Sequence, residues 1–159
     1  MVPFATLWSN YPTEPKRELF ERVLGGGWPA LVGNPNYDNT CTIRLSVAFN
    51  RCGIKVSEAF GKKDGNHKDK NGDFIAIKVP TGEEMVTSFY GAQTWGMSRE
   101  PGTPIDLKDV PAWTGILVYR VAGSTANGHI DLWDKTSCRI DCYSLYAKAS
   151  FAIALWKVD

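Results

Sequence analysis

The chain has 159 residues, with 18 basic and 17 acidic side chains and a net charge of +1. That length suits a single domain, residues 1–159, able to bury its own core. The balanced, interleaved charges exclude a general electrostatic pull toward nucleic acid or an anionic membrane. No window approaches the ~18 consecutive apolar residues of a membrane-spanning helix, and "MVPFATLWSN" lacks the basic-then-apolar pattern of a secretory signal. The chain is expected to be made in the cytoplasm without a signal peptide.

In chain order, "EPKRELFERVL" predicts a first helix. Thr13 is its candidate N-cap and Pro15 falls in the first turn, where a missing N–H is harmless. Leu19, Phe20, Val23 and Leu24 supply an apolar stripe, and Gly25-Gly26-Gly27 ends it. The second helix is "CTIRLSVAFNRC", stopped by Gly53. Asn39 or Asp38 can cap it, since a side-chain oxygen there accepts an N–H of the first turn. Ile43 and Val47 share one stripe, and Cys41, Leu45, Ala48 and Cys52 another, so this helix should pack on several sides.

Residues 61–73, "GKKDGNHKDKNGD", read as a solvated loop. "FIAIKV" (74–79) reads as a strand. Residues 81–93 read as a helix with Thr81 and Glu84 at capping-box spacing. A Pro-rich connection leads to three strands, 115–121, 129–134 and 150–158. Helices first and an antiparallel-looking sheet last predict an α+β fold.

Four cysteines and two histidines bear on chemistry. Cys41 opens a helix, where N–H groups carry partial positive charge that stabilises a thiolate and can serve an oxyanion. The plainer alternative is a small buried hydrophobe. Cys52 sits at the wrong end of the helix dipole. A thiolate nucleophile needs an imidazole base. His67 lies in the lysine-rich loop, whereas His129 opens a strand, and His129 is the choice. For the acid that orients the base, Asp131 shares a strand face with His129, but residues two apart on one strand usually stand too far apart to bond directly. Asp134 has the opposite parity. Asp141 lies on a segment expected to turn back beside the histidine strand, so a cross-strand contact favours Asp141, with Asp131 the alternative.

Of the cysteines only Cys138 and Cys142 show a zinc-like spacing, which argues against a structural zinc site. They could form a short-range disulfide in an oxidising compartment, or remain reduced in a turn. "LGGGWP" lacks the Lys-Ser/Thr of a phosphate loop. Trp28, Trp95, Trp113, Trp133 and Tyr37 suggest either an aromatic-walled groove or core packing.

"NTCTIRLSVAFNRCG", followed far downstream by "GHIDLWDK" and a C-x3-C segment, resembles the type VI secretion amidase effectors, family 4. These are antibacterial toxins of the NlpC/P60-like, papain-related superfamily. The resemblance implies a nucleophile helix packed on an antiparallel sheet, and a Cys-His-Asp triad at Cys41, His129 and Asp141. It implies a Cys138–Cys142 disulfide and no cofactor or metal. It further implies amidase action on peptidoglycan stem peptides between D-glutamate and meso-diaminopimelate. Export by the type VI secretion apparatus, action in the periplasm of target bacteria and a cognate immunity protein complete the expectation.

Overall fold

The computed structural model describes residues 1–123 and 128–159. Its centre is a four-stranded, wholly antiparallel sheet of β1 (Trp95–Ser98), β2 (Thr114–Arg120), β3 (His129–Asp134) and β4 (Ala152–Lys157), in the order β1-β4-β2-β3. β2 aligns Tyr119 with His129 and Leu117 with Asp131, and on its other side Leu117 with Leu155. β3 is therefore an edge strand. At Gly115 the strands crowd so closely that an added Cβ would stand 2.0 Å from the Trp156 carbonyl oxygen.

Alternation sorts the side chains onto two faces. Ile116, Val118, Ile130, Leu132, Ala154 and Trp156 pack against α1 (Phe4–Asn10), α3 (Cys41–Arg51) and α5 (Val79–Tyr90). Leu117, Tyr119, Trp133, Ile153 and Leu155 face the other way and are covered by Val110, Cys142 and Ala147, the last from α6 (Leu145–Ala149). A third cluster joins Leu19, Phe20, Leu24 and Trp28 to Ile43, Val47 and Ile75. The two predicted stripes of α3 thus enter two different cores: Cys41, Leu45 and Ala48 the first, Ile43 and Val47 the third. An 11-residue helix buried along Cys41–Asn50 gives its first residue a fixed position.

Several elements differ from the sequence reading. The first expected helix is α2 (Lys16–Glu18), running on as a π turn through Leu24 and ending at Gly25 with φ 63°. Its N-cap is Pro15, with no side-chain cap, rather than Thr13. α4 (Glu58–Lys63) enters the expected loop, and Asp64 behind it is buried.

Residues 74–79 join no sheet; among the described residues their one β-type pairing is an isolated bridge between Phe74 and Lys68. Ile75 and Ala76 are fully buried, which explains the strand-like apolar run. Their backbone is satisfied without a strand neighbour. The Ala76 N–H donates to Ser46 Oγ at 3.0 Å, and the Ile77 and Lys78 N–H groups donate to Asp64 Oδ2 at 2.6 and 2.9 Å. α5 starts at Val79 after Lys78, so Thr81 is already inside it, donating its hydroxyl to Asp64 Oδ1 at 2.9 Å instead of forming a capping box. α1, β1 and α6 are short elements that the periodicity did not reveal.

Candidate active site

Asn39 sets the site's frame. Its side-chain N–H donates to the Gly128 carbonyl at 3.0 Å, and its side-chain oxygen accepts the Cys41 N–H at 3.4 Å. One side chain thus ties the start of α3 to the start of β3. Thr40 holds the N-cap position of the helix without a side-chain cap, and Asn39 supplies the acceptor. Because β3 is the sheet edge, no further strand stands between the α3 N-terminus and the His129 ring.

The two sequence-chosen reactive groups meet. Cys41 and His129 line the same cavity, and the charge of Cys41 acts on the imidazole. His129 Nε2 lies 2.9 Å from Asp131 Oδ2, which leaves Nδ1 for the thiol. His129 is 6% exposed and Asp131 1%. Burial works against a charged ring, but the bond to Asp131, the bond to Cys41 and the charges of both outweigh it and raise His129 to about 10. The ring therefore carries its proton at neutral pH, the form that pairs with a thiolate.

Asp131 is itself held by backbone. Its oxygens accept the N–H groups of Leu132 at 2.8 Å, Ile140 at 3.2 Å and Asp141 at 3.1 Å. The segment after β3 turns back along it, as the sequence reading expected, with a bridge between Trp133 and Cys138. What reaches the histidine strand is the amide of Asp141, not its carboxylate. That carboxylate accepts the Tyr143 N–H at 2.8 Å and faces the cavity wall. The expectation that Asp141 orients His129 is therefore corrected in favour of Asp131. Side chains two apart on a strand lean along it, and the imidazole reaches far enough to close the gap.

Cys138 and Cys142 are joined in a disulfide with a Cα separation of 5.2 Å. It closes the turn whose amides hold Asp131. Tyr119, opposite His129 in the register, stacks on the ring at 6.0 Å and donates its hydroxyl to the Cys142 carbonyl at 3.0 Å. Burial, then the charge of Asp131, keeps that phenol un-ionised far into alkaline pH.

The site opens into a cavity of about 220 Å³. One wall is Asp38 through Cys41 with Arg44, the other Ile140, Asp141, Ser144 and Tyr146. Arg44 was not singled out in the sequence. The signal was there: Arg44 is the one charged residue between Cys41 and Asn50, one turn after the cysteine on a helix that should pack on several sides. Tyr11 is a second side chain without a sequence signal. It is buried, its hydroxyl has no partner among the described residues, and burial with the nearby charges of Asp131 and Cys41 holds it well above its ordinary pKa.

The remaining candidates lie elsewhere. His67 accepts or donates a bond with the Tyr37 hydroxyl at 3.2 Å and packs beside Trp28. Cys52 lies at the far end of α3. Trp28 and Trp133 are core residues, and Trp95 and Trp113 pack on the second core, so the tryptophans do not wall the cavity. Among the described residues no group of three or more His, Cys, Asp or Glu is placed to hold a metal ion, and no helix is long and apolar enough to cross a membrane.

Residues 37–156 match the family described as type VI secretion system (T6SS), amidase effector protein 4. Among solved structures, the type VI effector Tae4 from Enterobacter cloacae is 22% identical, with a TM-score of 0.80 over 100% of this chain and 98% of that one. The Tae4 / Tai4 effector–immunity system from Salmonella typhimurium is 20% identical, with a TM-score of 0.80 over 100% of both chains. Salmonella typhimurium Tae4 in complex with the immunity protein Tai4 from Enterobacter cloacae is 19% identical, with a TM-score of 0.79 over 99% of this chain and 100% of that one. The α+β, papain-like architecture is common to them. No curated protein is a significant sequence match.

Proposed function

The chain belongs to the type VI secretion amidase effector 4 family, and on that premise we propose that it cleaves the D-glutamyl–meso-diaminopimelate amide of stem peptides through Cys41, His129 and Asp131. As a family member it is a peptidoglycan amidase of the cysteine type, an effector exported to target cells. The observation that carries the mechanism is that Cys41 and His129 line one cavity while the His129 ring is held by the buried Asp131 carboxylate at 2.9 Å.

In this reading the thiol proton already rests on His129 Nδ1 as a thiolate–imidazolium pair before substrate arrives, while the Nε2–H donates to Asp131. The Cys41 sulfur attacks the amide carbon. The Cys41 N–H, whose bond to Asn39 is long at 3.4 Å, turns to the oxygen that becomes negatively charged. His129 then protonates the leaving amine, and water, deprotonated by the same ring, hydrolyses the thioester. Asp131 fixes the tautomer and stabilises the imidazolium. Asp141 contributes its backbone amide to Asp131 and its carboxylate to the cavity wall. No step calls for a cofactor.

Stem peptides lie in the periplasm, so that is the proposed place of action in a target bacterium, with the type VI apparatus as the delivering partner. The solved Tae4–Tai4 complexes support a cognate immunity protein as a further partner, and in this reading it plugs the cavity. The test is purified protein against Cys41→Ala on isolated Gram-negative peptidoglycan, with fragment masses read out. Wild type alone should release fragments ending in D-glutamate. Cleavage by folded Cys41→Ala would remove the nucleophile, and masses from another bond would remove the bond assignment.

A further inference from the structure

Arg44 stands one turn beyond Cys41 on α3, on the same helix face, and lines the same cavity. It is only 6% exposed. Its Nε donates to Thr40 Oγ1 at 3.0 Å, and its Nη1 donates to the carbonyls of Pro12 and Glu14 at 3.1 and 2.7 Å. Those bonds fix the plane of the guanidinium. Nη2 is the one guanidinium nitrogen for which no hydrogen-bond partner is found among the described residues, on a side chain that lines the cavity.

Among the described residues Arg44 forms no ion pair; the cavity's Asp38 is taken by Lys16 at 2.7 Å, and Asp141 stands on the opposite wall. The charges of Glu14 and Asp131 act on it from a distance, but no carboxylate is paired with it directly, and a desolvated, immobilised cation left without a direct partner is costly to keep in a fold. The Nη2 N–H groups left over can make charge-assisted hydrogen bonds to a carboxylate. A rigid cation with donors left over beside a nucleophile is a ready place for a carboxylate of the substrate.

We propose that Arg44 binds the α-carboxylate of the D-glutamate that donates the acyl group, and so selects stem peptides in which this carboxylate is free over those in which it is amidated. The inference rests on the bond assignment above. In γ-linked glutamate the α-carbon is two methylenes from the carbonyl under attack, which puts the carboxylate roughly 4–5 Å from it by standard bond lengths. Residues one turn apart on a helix are separated by about 5–6 Å at Cβ, so the carbonyl at Cys41 brings the carboxylate to Arg44. The diaminopimelate carboxylates lie on the leaving side of the bond, so they are not the groups the acyl side presents to Arg44.

The experiment compares kcat/KM for two defined stem tetrapeptides that differ only in carrying D-glutamate or its α-amide, D-isoglutamine. Wild type should prefer the free carboxylate by about 10- to 100-fold, the range of a charge-assisted hydrogen bond. Arg44→Gln should bring the ratio near one by losing the carboxylate substrate alone, and Arg44→Lys should keep part of the preference. Equal cleavage by wild type overturns the proposal, and so does an equal loss on both substrates in a folded Arg44→Gln protein. The wild-type comparison decides even if that variant fails to fold. Cleavage of neither substrate by folded wild type removes the bond assignment itself, and this inference with it.

Discussion

His129 Nε2 lies 2.9 Å from Asp131 Oδ2, two residues along the same edge strand. Three backbone N–H groups, from Leu132, Ile140 and Asp141, converge on that carboxylate. The acid is therefore oriented before substrate arrives, and the imidazole is oriented by the acid.

Asp131→Asn should lower kcat by about 10²- to 10⁴-fold, the scale seen when a triad base loses its orienting acid. Asp141→Asn should cost less than about tenfold, since the Asp141 backbone amide remains while its carboxylate meets only the Tyr143 N–H. Steady-state kinetics on a defined stem peptide separates the two. A larger loss at Asp141 than at Asp131 would show that the carboxylate, not the amide, is what His129 needs.

The raised His129 value sets a pH window with a definite sign. A base raised from an ordinary 6.5 to about 10 binds its proton more tightly in the folded protein, so the stability it contributes is complete below pH 6.5 and disappears as pH rises through about 10. The alkaline limb of the rate profile should fall near the same upper value, and the macroscopic value belongs to the thiol–imidazole pair. In Asp131→Asn, burial remains and the compensating carboxylate is gone, so the limb should move to lower pH. An alkaline limb unmoved in that variant would contradict the role given to Asp131.

The Cys138–Cys142 disulfide closes the turn that presents the Ile140 and Asp141 amides. Reduction followed by alkylation of the two released thiols, in a protein whose Cys41 is protected by a reversible block, should lower kcat several-fold with the global fold intact. Far-ultraviolet circular dichroism monitors the fold. Unchanged kcat would mean that packing of Tyr119 against the turn is enough to hold it.

Asp64 and Ser46 replace a strand neighbour for residues 76–78. Asp64→Ala leaves the Ile77 and Lys78 N–H groups and the Thr81 hydroxyl without their acceptor, and should destabilise the fold by about 2–4 kcal/mol. Ser46→Ala removes the acceptor of the buried Ala76 N–H and should cost about 1–3 kcal/mol. Denaturant titration measures both, and values within about 0.5 kcal/mol of wild type, typical of a plain surface change, would show that water satisfies these groups.

Gly115→Ala places a Cβ 2.0 Å from the Trp156 carbonyl oxygen on the neighbouring strand, where backbone has no way to yield without breaking the ladder. The variant should be strongly destabilised or fail to accumulate folded, read by melting temperature. A wild-type melting temperature would mean that β2 and β4 separate at that point in solution.

Sequence alone determined the parts of this protein that depend on local pattern. The two stripes of α3 foretold its burial in two cores, the strand at 129–134 coincides with β3, and a cysteine at a helix start with a histidine at a strand start named two residues that line one cavity. These follow from side-chain period and from the chemistry of helix ends, which a linear chain displays. Tertiary structure decided the rest. The run at 74–79 is apolar because it is buried, but whether it pairs with a strand depends on distant acceptors at Ser46 and Asp64. The orienting acid depends on where the turn after β3 delivers its amides, and those amides gather around Asp131 rather than bringing Asp141 to the ring. Arg44 shows the same division: its identity is plain in the sequence, while its fixed place on the cavity exists only once Thr40, Pro12 and Glu14 have taken its Nε and Nη1 donors.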